Sequence, residues 1–168
     1  MIRADTPAKE ALDEANKIKK KFDESVKKMA QYKSYLEVLE LPVTPIPEIE
    51  EFETKFTTRQ RIWEIRQQFE DNKKRWYYEN FKEQEAQEIV AYVKERETEL
   101  VKTKVKFRDV KDEVLESAIS EVKSVSKYSA LIAALGNKSM QDKHWVKVWG
   151  LVEGQPSTLL NFTFYQLL

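Results

Sequence analysis

From Thr6 onward, apolar or small side chains recur every three or four residues, at Ala11, Ala15, Ile18, Phe22, Met29, Tyr32, Leu36 and Leu39. Ser25 is the one weak position in the series, with Val26 beside it. Lysines occupy the faces between, as in Lys19-Lys20-Lys21 and Lys27-Lys28. This is one face of a helix held over about four heptads, with solvated flanks. Thr6 is placed to cap it, and Pro7 to take the first helical position, where a missing N–H costs nothing. At a rise of ~1.5 Å per residue, Thr6 to Leu39 would span on the order of 50 Å. A stripe that long requires a partner helix. Pro42, Pro45 and Pro47 forbid helical hydrogen bonds and are expected to stop the helix in a stiff connector over 42–47.

A second helical pattern runs from Glu48 to Tyr78, with Ile49, Phe52, Phe56, Ile62, Trp63, Phe69 and Trp76 inward. Arg59 and Arg66 fall inside that stripe and must snorkel or pair. The direction changes near Asn80-Phe81. A third helix is expected from Glu83 to Lys104, with Ala86, Ile89, Val90, Val93, Leu100 and Val101 inward and Glu95-Arg96-Glu97 as an exposed turn. A loop is placed at Lys106-Phe107-Arg108. The fourth helix, Asp109 to Leu135, carries Val110, Val114, Ala118, Val122, Val125 and Ile132, widened by Leu115 and Ile119 toward a second neighbour. Gly136-Asn137 should stop it in the left-handed conformation. Ser139 to Asp142 has the form of a capping box for a short helix from Met140 to Trp149, closed by Gly150. Gly154 and Pro156 mark a loop. The apolar run from Leu159 to Leu168 is unusual for a free end and is read as a sign of truncation. The predicted fold is all-α: an elongated antiparallel bundle of four to five helices, the first a long heptad helix.

Composition narrows the function. Lys+Arg and Asp+Glu are both 29, so the chain has no net charge to attract a polyanion. Charged residues make up 35 % and glycines number 3, which suits solvated helices. The absence of cysteine removes disulfides and thiolate metal sites. No apolar run approaches the ~18 residues of a membrane span, and the first residues lack a secretory signal's apolar core, so a soluble intracellular chain is expected.

Candidate chemistry is sparse. His144 is the one histidine. Ser139, Asp142 and His144 have the residue types of a triad, but they share one short helical stretch and lack a glycine-rich oxyanion turn. A packed structural histidine is the simpler reading, and its removal would cost roughly 1–2 kcal/mol if its hydrogen bond is buried. Lys73-Lys74-Arg75-Trp76-Tyr77-Tyr78 mixes cations with rings as single-strand nucleic-acid surfaces do, but the helical period turns Trp76 inward. No phosphate-binding glycine loop is present. The acidic stretch Glu48 to Glu53 suits a helix N-terminus. No catalytic, cofactor-binding or metal residue is assigned.

One ordered set of residues resembles a known family. Trp63, Phe69, Trp76 and then Phe81 follow the spacing found near the start of the linker region of dynein heavy chains. Further on, Leu135-Gly136-Asn137-Lys138-Ser139-Met140 precedes Lys143-His144-Trp145, then Gly150 and Phe162-Thr163-Phe164, as in that family. The resemblance covers Ile62 to Leu168. Each motif is weak alone; their order and spacing are specific. Lys143 stands where arginine is usual, which weakens any bidentate carboxylate contact there. Ser126-Lys127-Tyr128 replaces the usual Leu-Pro, which suggests a straighter fourth helix. The Asn-Lys-Ser-Met form is closer to axonemal than to cytoplasmic heavy chains.

The resemblance implies a mechanical role. Residues 1–41 would be the last tail helix, 42–47 the connector, and 48–168 the truncated start of the linker that carries the ATP-driven stroke. His144-Trp145 would be a packed corner, with Trp63, Phe69, Trp76 and Phe81 as the remaining structural motif. The segment would hold no cofactor, with ATP and Mg in the full-length motor. Partners would be the rest of the heavy chain and other heavy, intermediate and light chains. Microtubules would be reached only through the whole motor; neither nucleic acid nor membrane would be bound. The place would be cytoskeletal, in the ciliary axoneme. The alternative from the heptads is a self-contained coiled-coil scaffold or adaptor.

Overall fold

The computed structural model describes residues 3–107, 112–151 and 162–167. Among these the chain forms six α-helices: α1 (Ala8–Val38), α2 (Pro47–Tyr78), α3 (Ala86–Lys106), α4 (Glu113–Ser126), α5 (Ser129–Leu135) and α6 (Asp142–Trp149). Short 3-10 turns occupy Phe81–Glu83 and Phe164–Leu167. The all-α prediction holds. No described helix is long and apolar enough to cross a membrane. The chain divides into two compact units, 1–64 and 65–168, with the division inside α2.

In the first unit α1 and the start of α2 form an antiparallel hairpin. Phe22 lies against Phe52, with ring centroids 4.8 Å apart, and Phe52 stacks on Phe56. Lys19 donates to Glu53 at 3.2 Å, and Gln60 to Asn16 at 3.2 Å. Pro7, not Thr6, takes the N-cap position of α1, and no side chain caps it. The far end also departs from expectation. α1 stops before the prolines, on backbone hydrogen bonds from Glu40 N–H to the Glu37 carbonyl (3.2 Å) and from Leu41 N–H to the Leu36 carbonyl (2.9 Å). This is a Schellman ending, and Glu40 holds its left-handed position at φ 53°. Pro42 follows a helix that has already ended. Of the heptad stripe only Ala11 and Ala15 are buried, together with Ala8; Ile18, Tyr32 and Leu39 are exposed.

Pro47 opens α2 at the first helical position. Ile62, Trp63, Ile65, Phe69 and Trp76 are buried, whereas Ile49, Phe52 and Phe56 are not. In the second unit, Arg66 pairs with Glu121 of α4 at 2.6 Å. An inward-facing arginine thus has a carboxylate waiting on the next helix.

α3 and α4 pack antiparallel, fixed by Lys104–Glu116 at 2.6 Å and by Ser126 donating to Glu97 at 2.7 Å. Ala86, Ile89, Val93 and Leu100 of α3 are buried. Two expectations fail here. Val101 is exposed, and Arg96 is buried rather than on an exposed turn. Its guanidinium is paired with Glu95 and with Glu99 (2.5 Å) and lies 5.4 Å from the Tyr92 ring centre. Charge pairing lets a cation sit where the period called for an apolar group.

Asp112 caps α4, accepting from Val114 and Leu115 N–H at 3.0 and 3.2 Å. The expected helix start at Asp109, its Val110 and the loop residue Arg108 lie outside the described residues, as do Gly154 and Pro156. The fourth helix is not straight. It ends at Ser126 and restarts at Ser129. Tyr128 N–H bonds the Val125 carbonyl at 2.9 Å, three residues back, which tightens the last turn of α4, and the Tyr128 carbonyl opens α5.

Gly136 is not left-handed; it has φ −80°. Its role is close approach: a Cβ built there would fall 1.9 Å from the Ala86 Cβ. α5 therefore meets the start of α3 at a point where no methyl fits. Gly136→Ala should destabilise the chain by about 1–3 kcal/mol through this overlap. A urea melt would measure it, and adding Ala86→Gly should recover part of the loss; no recovery would exclude the methyl clash. Glu40→Gly should raise the urea midpoint, worth about 1 kcal/mol, by relieving the left-handed residue; an unchanged midpoint would mean that Glu40 carries no strain.

Candidate functional site

The second unit is built round Phe81. This ring is 3 % exposed and begins the 3-10 turn after α2. It stacks with Phe162 and Phe164 at 6.0 and 5.9 Å, and meets Trp145 edge-on at 6.4 Å. Trp145 and Trp149, one turn apart on α6, both pack on Phe162, at 4.6 and 5.2 Å. Tyr77 and Tyr128 each meet Phe164 edge-on. Burial of the Tyr77 phenol, then the neighbouring Tyr128, raises its pKa against a smaller lowering by Lys127. Upstream, Phe69 and Trp76 touch edge-on at 5.8 Å, and Trp76 meets Tyr92 of α3 at 5.7 Å.

Backbone bonds lock the rings in place. Phe81 N–H donates to the Phe162 carbonyl at 2.8 Å, beside an antiparallel bridge between Asn80 and Thr163. Asn80 caps the turn by accepting from Lys82 N–H at 3.3 Å. The Gln84 amide reaches back to the carbonyls of Arg75 and Trp76 in the last turn of α2 and of Glu79 just after it, at 3.4, 3.4 and 3.2 Å. The Arg75 carbonyl also accepts from Glu79 N–H at 2.9 Å, so the Gln84 side chain adds to the helix bond there and reaches the end of the helix from beyond the turn. Lys82 closes the outer face. Its ammonium lies 5.6 and 5.9 Å from the Trp145 and Phe162 ring centres and 3.6 Å from Asp142.

His144 belongs to a cap rather than to a catalytic group. The helix starts at Asp142, so the expected Ser139 capping box is replaced by one between Gln141 and His144. His144 Nδ1 accepts from Gln141 N–H at 3.0 Å, and the Gln141 side chain accepts from His144 N–H. His144 is half-exposed, not buried. Asp142 pairs with Lys82, so the triad residue types are engaged elsewhere. Asn137, not Ser139, organises the preceding turn, accepting from Ser139 N–H at 2.9 Å.

The arrangement holds geometry. Among the described residues no group of three or more His, Cys, Asp or Glu could bind a metal. An open cleft of about 510 Å³ lies beside Trp76, Gln84 and Tyr92, and three of its four carboxylates are engaged. Glu79 pairs with Arg75 at 3.7 Å, Glu83 accepts from Asn80 at 2.8 Å, and Glu85 pairs with Lys138 at 3.4 Å. The basic-aromatic stretch is likewise occupied: Trp76 is buried, Lys74 pairs with Glu70 at 2.8 Å, and Lys73 lies over Tyr77.

Phe81, Trp145 and Phe162 thus meet in one cluster. Phe69 and Trp76 form its upstream edge, and His144 fixes the helix that presents Trp145. Trp63 is buried in the first unit. Gln84 was missed by sequence reasoning, since a polar residue in a turn carries no periodic signal.

The chain matches the family described as dynein heavy chain, N-terminal region 2, over residues 49–168. No curated protein and no solved structure matches it.

His144→Ala should remove the imidazole half of the capping box and cost about 0.5–1.5 kcal/mol. His144→Gln, which restores an acceptor at that position, should retain most of the stability. Thermal melts of the two variants would check this; equal losses would show that the imidazole acts through packing instead.

Proposed function

We propose a mechanical role for this chain, which belongs to the dynein heavy chain family through that family's N-terminal region 2. The matched region is a non-catalytic part of the heavy chain. In our reading, residues 48–168 form the start of the linker, 42–47 the junction, and 1–41 the last helix of the tail. One observation carries this division: the family match begins at residue 49, two residues after Pro47 opens α2.

The segment's task is to bear load without yielding. Its second unit suits this task because the turn at Phe81 is held by stacked rings, a backbone bond and a sealed helix end together. Packed cores of this kind transmit displacement because they resist compression. Hydrolysis of ATP with Mg, and microtubule attachment, belong to parts of the motor beyond these residues. The partners are the remaining heavy chain and the heavy, intermediate and light chains of the complex. The Asn137-Lys138-Ser139-Met140 form favours an axonemal motor driving ciliary movement.

The test is a motor bearing this segment with Phe81→Ala and Trp145→Ala. Microtubule gliding should slow severalfold while basal ATPase stays within about twofold of the parent, since force transmission and chemistry are separated. Parallel loss of both, or unchanged gliding, would refute the role.

A further inference from the structure

In the first unit α1 runs on past the start of α2. With Phe22 across from Phe52 and Asn16 across from Gln60, Pro47 falls opposite Lys27 and Lys28. α1 continues to Val38, so the stretch from Met29 to Val38, ~15 Å of helix, extends past the start of α2. The heptad series continues along it. Met29, Tyr32, Leu36 and Leu39 keep the spacing of Ala15, Ile18 and Phe22. Tyr32 is 64 % and Leu39 65 % exposed, and Met29 and Leu36 are half-buried.

The flanking charges indicate what covers this stripe. Where α1 has its partner, Lys19 borders the stripe and pairs with Glu53 across the helices. From the start of α2 outward, the positions bordering the stripe are Lys28, Lys33, Tyr35 and Glu40, and neither lysine forms an ion pair among the described residues. A second copy fits poorly. Parallel pairing would set Lys28 against Lys33 of the other copy, and antiparallel pairing about the middle of the stripe would set Lys33 against Lys33. Like charges at these positions reject a partner. The chain's own residues before α1 enter at its opposite end, roughly 30 Å or more from Leu36.

We propose that the α1 overhang, from Met29 to Leu39, docks an amphipathic helix of another polypeptide, with an apolar stripe bordered by carboxylates. This surface lies outside the aromatic corner and does not depend on the linker reading.

Two synthetic peptides of about three heptads test it, both with leucine at the apolar positions, one flanked by glutamates and one by lysines. Fluorescence anisotropy with the 168-residue chain should show saturable binding of the glutamate peptide only. Lys28→Glu with Lys33→Glu, on an exposed surface, should weaken that binding about tenfold or more and reverse the preference. Leu36→Asp should abolish it with the helix content unchanged by circular dichroism. Equal binding of both peptides, no binding, or indifference to the charge reversal would overturn the proposal. So would a dimer in sedimentation that Leu36→Asp disperses, which would assign the stripe to a second copy.

Discussion

The hydrogen bond from Phe81 N–H to the Phe162 carbonyl is the contact on which the second unit turns. It joins residues far apart in sequence where a helix has just ended, and it does so inside a shell of rings. A backbone pair in that setting is shielded from water and costs a full desolvation penalty to break. The rings need it too. With the Asn80–Thr163 bridge beside it, the bond sets the height of Phe162 against Trp145 and Trp149. Stacking supplies the area and the bond supplies the register.

Polar groups elsewhere are used in the same way, as positioning devices on an apolar frame. Arg66 reaches Glu121, Ser126 reaches Glu97, and Lys104 reaches Glu116, each tying one helix to the next. The exposed pair among them, Lys104–Glu116, contributes little stability. The value of all three is in fixing how the helices slide and turn. A chain with equal numbers of acids and bases can place such ties along its whole length.

Much of this was legible in the residues. Helical periodicity placed the long helices closely because their amphipathic stripes repeat many times, but it read α4 and α5 as one helix. The inward arginine was recognised as needing a partner, and Arg66 has one. Two misreadings have different origins. Gly136 depends on the methyl of Ala86 across from it, which a one-dimensional pattern does not hold. Arg96 is paired within its own helix, with Glu95 and Glu99, so its burial is tolerated at a position read as an exposed turn. The stripe of α1 was legible as a stripe, but its first part faces α2 and its last part extends past the start of α2 at Pro47, which the periodicity alone does not reveal. The aromatic motif was found by spacing, whereas Gln84, its polar keystone, has none.

The seal that Gln84 places on α2 has a kinetic meaning. Most helix ends fray independently, because their last carbonyls are satisfied by water or by a local turn. Here the acceptors of Arg75, Trp76 and Glu79 are held by an amide four residues past the chain's change of direction. Loosening the final turn of α2 therefore means freeing the 3-10 turn, and with it the seat of Phe81. End and corner open as one cooperative unit or stay shut together. A segment under tension gains from that coupling: its weakest point is removed from the helix tip, where unravelling would otherwise start.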